Sequence, residues 1–181
     1  HIQQADPEKI GKGLIQAAYE MVDGNGGIAV LSATAQATNQ NLWIEWMKKE
    51  LEENPEKYAN TPLIKVAYGD DDPTKSTSQA LLTDSSIKVI IAPTTVGMLA
   101  AGKVLQDKQS DVKLTGLGLP SEMAPFIEDG TCPWMYLWNP VDIGYLSGYT
   151  MDALVKGTIT GDVGGSFNAG DLGEKKITEA A

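Results

Sequence analysis

The sequence Lys88-Val89-Ile90-Ile91-Ala92-Pro93-Thr94-Thr95 indicates the fold class of this chain. Val89 to Ala92 is an apolar run of strand length, and Pro93 ends it because proline has no backbone N–H for a sheet ladder. Apolar residues then recur at helical spacing, at Met98, Ala101 and Leu105. The segment therefore predicts a buried strand that passes through a short polar loop into a helix.

The same unit of strand and helix recurs along the chain on both sides. Further predicted strands are Gly27–Leu31, Leu63–Tyr68, Val112–Leu117 and Trp134–Trp138, with one late strand near Lys176–Thr178. Predicted helices begin near Pro7, Asn39, Asp72-Pro73, Pro120 and Pro140. Strands that alternate with helices across short loops form parallel βαβ units. The predicted fold class is α/β, a doubly wound parallel sheet.

Composition excludes several classes of function. The chain has 181 residues and a net charge of -10, and all of its basic residues are lysines, which argues against nucleic acid and against a bidentate arginine clamp. No apolar run reaches the length of a membrane span. Cys132 is the single cysteine and His1 the single histidine. We therefore predict no catalytic residue, no metal site and no cofactor.

Ligands of open parallel sheets bind at the carboxyl ends of the strands, where the winding direction reverses. For the common strand order 2-1-3-4-5, the loops at that point are Ser32–Asn41 and Pro93–Gly97. Both loops consist of uncharged side chains, many of them polar, and lack a glycine-rich phosphate motif. They suit an uncharged, polyhydroxylated ligand.

Each of these features also has a purely structural interpretation. Asn39 can be a helix cap, and Trp43, Trp46 and Trp138 can be packing residues. Cys132 reads as a small buried side chain. The run Asp70-Asp71-Asp72 reads as a surface loop with a cap rather than a cation site.

Several segments resemble the sugar-binding proteins of ABC importers. They are Ala37-Thr38-Asn39-Gln40-Asn41-Leu42-Trp43, Ile91-Ala92-Pro93-Thr94-Thr95-Val96-Gly97, Leu114-Thr115-Gly116-Leu117-Gly118 and Leu137-Trp138-Asn139-Pro140-Val141-Asp142-Ile143-Gly144-Tyr145. The rhamnose-binding branch is the most similar, and the autoinducer-2-binding branch is next. The resemblance implies a type I periplasmic-binding fold, with two three-layer αβα lobes that close on a sugar.

The resemblance also implies a division of this chain. Residues 1–138 correspond to the carboxyl-terminal ligand-binding lobe, and residues 139–181 to a hinge-crossing helix and tail. That helix would pack on an amino-terminal lobe which the family carries before the position of His1. The family also continues beyond the position of Ala181.

Site residues carried over from the family are Asn39, Gln40, Pro93, Thr95, Trp138 and Asn139. The autoinducer-2 branch has Asp-Gln at Asn39-Gln40 and Pro-x-Ala at Pro93-Thr94-Thr95, so this chain keeps Gln40 and Pro93 and differs at Asn39 and Thr95. Pentose binders place an aspartate where Gly118 stands. The Pro-Thr-Thr-Val-Gly pattern is that of the rhamnose branch.

The resemblance thus implies an extracytoplasmic substrate-binding protein, periplasmic or a cell-surface lipoprotein, that is not an enzyme. It would bind a neutral deoxyhexose, rhamnose first, and deliver it to the membrane subunits of an ABC permease. Two alternatives share the fold. One is an autoinducer-2-binding protein, and the other is the effector domain of a sugar-responsive transcription repressor.

Overall fold

The computed structural model describes residues 2, 4–70 and 75–178. The chain divides into two compact units. The larger is Asp6–Leu137, and the smaller is formed by Trp138–Ala181 together with His1–Ala5. None of the helices among the described residues combines the length and the apolar character needed to cross a membrane.

The larger unit is built on a parallel sheet. Its strands are β1 (Gly27–Ser32), β2 (Leu63–Tyr68), β3 (Ile87–Ala92) and β4 (Lys113–Gly116), in the order β2-β1-β3-β4. This order agrees with the predicted doubly wound sheet. The predicted fifth strand is reduced to one parallel bridge between Leu117 and Tyr136. Proline at position 133 cannot donate to a ladder, and the chain leaves again toward Pro140, so the pairing stays short.

Helices cover both faces of this sheet. They are α1 (Pro7–Met21), α2 (Thr38–Glu53), α3 (Ser76–Leu81), α4 (Thr95–Asp107) and α5 (Pro120–Glu128). Asp6 starts α1 by accepting hydrogen bonds from the backbone N–H groups of Glu8 at 3.0 Å and Lys9 at 3.3 Å. The predicted helix start at Asp72-Pro73 lies outside the described residues.

Alternation along the strands divides the core between the two faces. Ala29 and Leu31 of β1 pack in one cluster with Met98, Leu105 and Phe126, which come from α4 and α5. Ile28 and Val30 are also fully buried and point to the other face, because successive side chains of a strand alternate. On that face α1 packs against α2. The result is the three-layer arrangement predicted from the sequence.

The described part of the smaller unit contains an α-helix and a hairpin, with a short 3-10 helix at Gly170–Leu172 between the two strands. Helix α6 spans Pro140–Val155, and strands β5 (Ser166–Asn168) and β6 (Glu174–Lys176) pair antiparallel. Their small core contains Ala153, Ile159, Phe167 and Ala169. The late strand predicted near Lys176–Thr178 is present two residues earlier than expected.

Candidate ligand-binding site

The carboxyl ends of β1, β2 and β3 meet at one edge of the sheet. Strand β2 lies on one side of β1 and β3 on the other, so the winding direction reverses between β1 and β3. The loops that follow these two strands are residues 32–41 and 93–97. The structure therefore brings the two predicted ligand loops to the same edge.

Gln40 is buried, with 7% of its surface exposed, and its side chain fixes the first loop. Its amide oxygen accepts hydrogen bonds from the Ser32 hydroxyl at 2.7 Å and the Ala33 backbone N–H at 3.0 Å. A backbone N–H can only donate, so the atom facing it is the amide oxygen. The amide nitrogen of Gln40 is then the part of this side chain that is left for a ligand.

Asn39 precedes Gln40 and is exposed. Its side-chain oxygen accepts from the Gln40 backbone N–H at 2.9 Å. The interpretation of Asn39 as the cap of α2 is wrong, because α2 begins one residue earlier and its N-cap position is Ala37, with no side-chain hydrogen bond. Asn39 thus lies in the first turn of α2 and presents an amide to solvent.

The second loop contains Pro93, which is buried, and Thr95, which is half-buried and opens α4. Between them, the Thr94 side-chain oxygen caps α4 by accepting from the Gly97 backbone N–H at 2.9 Å. The same hydroxyl donates to the carboxylate of Asp70. This loop is therefore held from two sides, by its own helix and by the end of β2.

Asp70 was not among the predicted site residues, and the surface-loop interpretation of the run at 70–72 is wrong for Asp70, whereas Asp71 and Asp72 lie outside the described residues. Its exposed fraction is 3%. The neighbouring Gly69 donates its backbone N–H to Ala33 at 2.7 Å, which ties the end of β2 to the end of β1. A signal was present in the sequence, since Asp70 follows its strand as closely as the two predicted loops follow theirs.

Together these bonds link three strand ends in a continuous network. It runs from Gln40 to Ala33, from Ala33 to Gly69, and from Asp70 to Thr94. We call this set of contacts the strand-end network. Because the network joins loops that are far apart in sequence, it fixes the shape of the edge where a ligand would bind.

Exposed apolar side chains border the same edge. Tyr68 ends β2, Val96 lies in the first turn of α4, Leu119 precedes α5, and Tyr136 forms the bridge beside β4. Such side chains are suited to contact the apolar face of a sugar ring. Of the predicted packing residues, Trp43 is buried in the core at 3% exposure.

Trp138 and Asn139, the remaining predicted site residues, begin the smaller unit. The Asn139 side chain caps α6 by accepting from the Val141 backbone N–H at 3.0 Å. Trp138 is half-buried. The other four predicted residues all lie at the sheet edge of the larger unit.

The arrangement at the sheet edge offers hydrogen bonds rather than covalent chemistry. Ser32 is buried and bonded to Gln40, and burial raises the pKa of the Cys132 thiol to about 11, with a smaller contribution from the charge of Asp129. Across the described parts of the chain, no three His, Cys, Asp or Glu side chains are grouped to hold a metal ion. The described polar groups at the sheet edge are hydrogen-bond donors and acceptors.

Comparisons with known proteins identify a family and several similar structures. The sequence profile of the periplasmic binding protein domain matches residues 1–159. A solute-binding protein of an ABC transporter from Clostridium phytofermentans, solved with bound L-rhamnose, is 48% identical, with a TM-score of 0.90 over 99% of this chain and 60% of that chain.

Two further solved structures are similar. A sugar ABC transporter protein from Actinomyces odontolyticus is 40% identical, with a TM-score of 0.81 over 97% of this chain and 57% of that chain. LsrB from Clostridium saccharobutylicum, in complex with AI-2, is 20% identical, with a TM-score of 0.79 over 95% of this chain and 56% of that chain. At that identity the last comparison concerns the fold alone.

Proposed function

Since this chain belongs to the family of periplasmic binding protein domains, we propose that it is the ligand-binding part of an ABC sugar importer's substrate-binding protein and that its ligand is L-rhamnose. The observation that carries this proposal is the 48% identity, over 99% of the chain, to a solute-binding protein with bound L-rhamnose. Membership in the family implies an extracytoplasmic location. Within that location, the proposal covers both a periplasmic protein and a cell-surface lipoprotein.

The chemistry of the sheet edge supports an uncharged sugar as ligand. Asn39 and Thr95 present an amide and a hydroxyl there, and Gln40 retains its amide nitrogen. Groups of this kind recognise sugar hydroxyls by exchanging hydrogen bonds in both directions. We propose that these three side chains and the backbone at Pro93 contact the sugar hydroxyls. We further propose Trp138 and Asn139 as ligand contacts.

The proposed mechanism is reversible capture followed by delivery. A two-lobed protein closes on its ligand by hinge rotation, and the closed form is the state that a membrane permease would receive. The relatives described above are solute-binding proteins, and no covalent step is needed. The permease subunits of the importer are the proposed macromolecular partner.

The surface of α6 supports the proposal that residues 139–181 pack on an amino-terminal lobe. The chain spans 60% and 57% of the lengths of the two most identical structures named above. Apolar side chains on α6 are exposed, among them Val141 and Tyr145 at 61%, Met151 at 63% and Val155 at 80%. Gly144 and Gly148 have open space above their α-carbons, which would allow another helix to approach closely. Hydrogen–deuterium exchange in α6 should then be slower in the complete protein than in residues 1–181 alone.

The function is tested by thermal-shift titration of the complete protein with L-rhamnose, autoinducer-2, ribose and glucose. A ligand at about 100 times its dissociation constant adds roughly 2.7 kcal/mol of stability. We expect stabilisation by L-rhamnose. Stabilisation by autoinducer-2 instead would favour the signal-binding alternative, and no response to L-rhamnose would contradict the proposal.

Asn39→Ala provides the site-specific test. Loss of a hydrogen bond to a buried ligand hydroxyl costs about 1 kcal/mol, so affinity for L-rhamnose should fall about fivefold. Asn25→Ala is the matched control, because Asn25 is exposed and precedes β1 at the opposite edge of the sheet. Equal affinities of the two variants would remove Asn39 from the site.

A further inference from the structure

A buried carboxylate lies against the first turn of α4. Asp70 accepts the hydrogen bond of the Thr94 hydroxyl, and the Thr94 oxygen accepts from the Gly97 backbone N–H. A β-carbon added to Gly97 would lie 3.1 Å from the Asp70 β-carbon, so the aspartate packs directly on this turn. The carboxylate is thus fixed at the amino-terminal end of a 13-residue helix.

That position has a definite electrostatic meaning. The backbone dipoles of a helix add up to a partial positive charge at its amino-terminal end, where phosphates and other anions commonly bind. Here the protein's own carboxylate already occupies that end. An anionic ligand that approached the loop at residues 93–97 would meet the charge of Asp70 instead of an unmatched dipole.

The described strand-end segments contain no basic residue beside the aspartate. In the described strand-end segments, residues 32–41, 69–70, 93–97, 117–120 and 133–137, Asp70 is the one charged residue. Glu122, in the first turn of α5, adds another negative charge. Lys75, the lysine that follows Asp70 most closely in the sequence, is at the N-cap position of α3 and, after Lys103, contributes to lowering the pKa of Asp107 near the end of α4.

We propose that Asp70 is a specificity-determining residue that makes this site accept uncharged sugars and reject anionic ones, such as sugar phosphates and uronates. Thr94 is the positioning residue that holds the carboxylate on α4. This inference rests on the proposed function for the identity of the neutral ligand. Its electrostatic core can be tested with an anion that is not a sugar.

The experiment compares the complete protein with its Asp70→Asn and Asp111→Asn variants. Asp111 is exposed and precedes β4 at the opposite edge, so its variant makes the same change of net charge away from the site. Each protein is titrated with inorganic phosphate at constant ionic strength and, separately, with L-rhamnose, and thermal stability is recorded. Asp70→Asn should bind phosphate about fivefold more tightly than either wild type or Asp111→Asn, the size expected for a charge at a helix end.

The outcomes separate the two proposals. A gain in phosphate affinity confined to Asp70→Asn supports the role of Asp70, whether or not L-rhamnose binds. If L-rhamnose does not stabilise the wild type, that result contradicts the proposed ligand and leaves the role of Asp70 unaffected. Equal phosphate responses of the two variants would overturn the role of Asp70. So would tight binding of phosphate by the wild type, a measurement that needs no variant to fold. Asp70→Ser replaces Asp70→Asn if circular dichroism shows that the latter is unfolded.

Discussion

Replacing Gln40 by Met should destabilise the protein, because the amide oxygen of Gln40 serves two donors at the start of the strand-end network. Methionine has nearly the same length and no oxygen. The backbone N–H of the half-buried Ala33 would lose its partner, at a cost of about 1–3 kcal/mol. The Ser32 hydroxyl is fully buried but can rotate toward another acceptor, so its loss adds about 1 kcal/mol. The expected decrease in the free energy of unfolding is therefore about 2–4 kcal/mol.

Equilibrium urea unfolding of the complete protein measures this decrease, with the slope of the transition expected to remain unchanged. Gln40→Glu is the matched variant, because a carboxylate keeps an acceptor for Ser32 and Ala33 but replaces the amide nitrogen. We expect Gln40→Glu to retain more stability than Gln40→Met and to lose sugar affinity if the amide nitrogen contacts the ligand. A Gln40→Met protein as stable as wild type, with sugar binding abolished, would refute the structural role given to the amide oxygen.

Two further predictions concern a glycine at the end of β4 and the thiol of Cys132. In Gly116→Ala, the new β-carbon would lie 1.9 Å from the Ala92 carbonyl oxygen at a φ of +149°, so the free energy of unfolding should fall by about 3 kcal/mol or more. Gly130→Ala is the control, because Gly130 has a φ of +78° but open space around it, and this variant should lose only about 1 kcal/mol. Urea unfolding measures both values. For Cys132, the folded-state pKa of about 11 exceeds the ordinary value of 9.0, so the folded state retains a proton that the unfolded state loses. Stability should therefore fall as the pH rises from about 9 to about 11, more steeply in wild type than in Cys132→Ala; parallel pH profiles of the two proteins would contradict this.

Much of the fold could be predicted because short apolar runs mark the buried strands. Gly27–Leu31 and Lys88–Ala92 are long enough for strands and too short for helices, and each is followed by a loop and a helical pattern. The weak end of the sheet was harder to predict. Leu117 and Tyr136 form only one bridge, and a single residue pair produces no repeating pattern of apolar residues in the sequence.

The position of the two candidate loops in the fold could be predicted, but their hydrogen bonds could not. The loops after β1 and β3 were placed at the correct edge because parallel strands end together. The direction of a glutamine side chain is not encoded locally, however, since Gln40 is equally able to bind a sugar or its own loop. Asp70 was misread for a related reason. A run of acidic residues usually marks a solvated loop, and the partner that buries Asp70 is a threonine 24 residues away in the sequence.

The strand-end network has a consequence for how this lobe can change during evolution. Stability at this edge depends on Gln40, Asp70 and Thr94, whereas Asn39 bonds only its neighbour's backbone N–H in the contacts described, and Thr95 is not a member of the network. Asn39 and Thr95, two of the proposed ligand contacts, are thus sequence neighbours of the residues that hold the loops, whereas Gln40 belongs to both groups. If Asn39 and Thr95 contact the sugar as proposed, substitutions there should change sugar preference with little loss of stability, so specificity can evolve at two positions while the strand-end network stays intact.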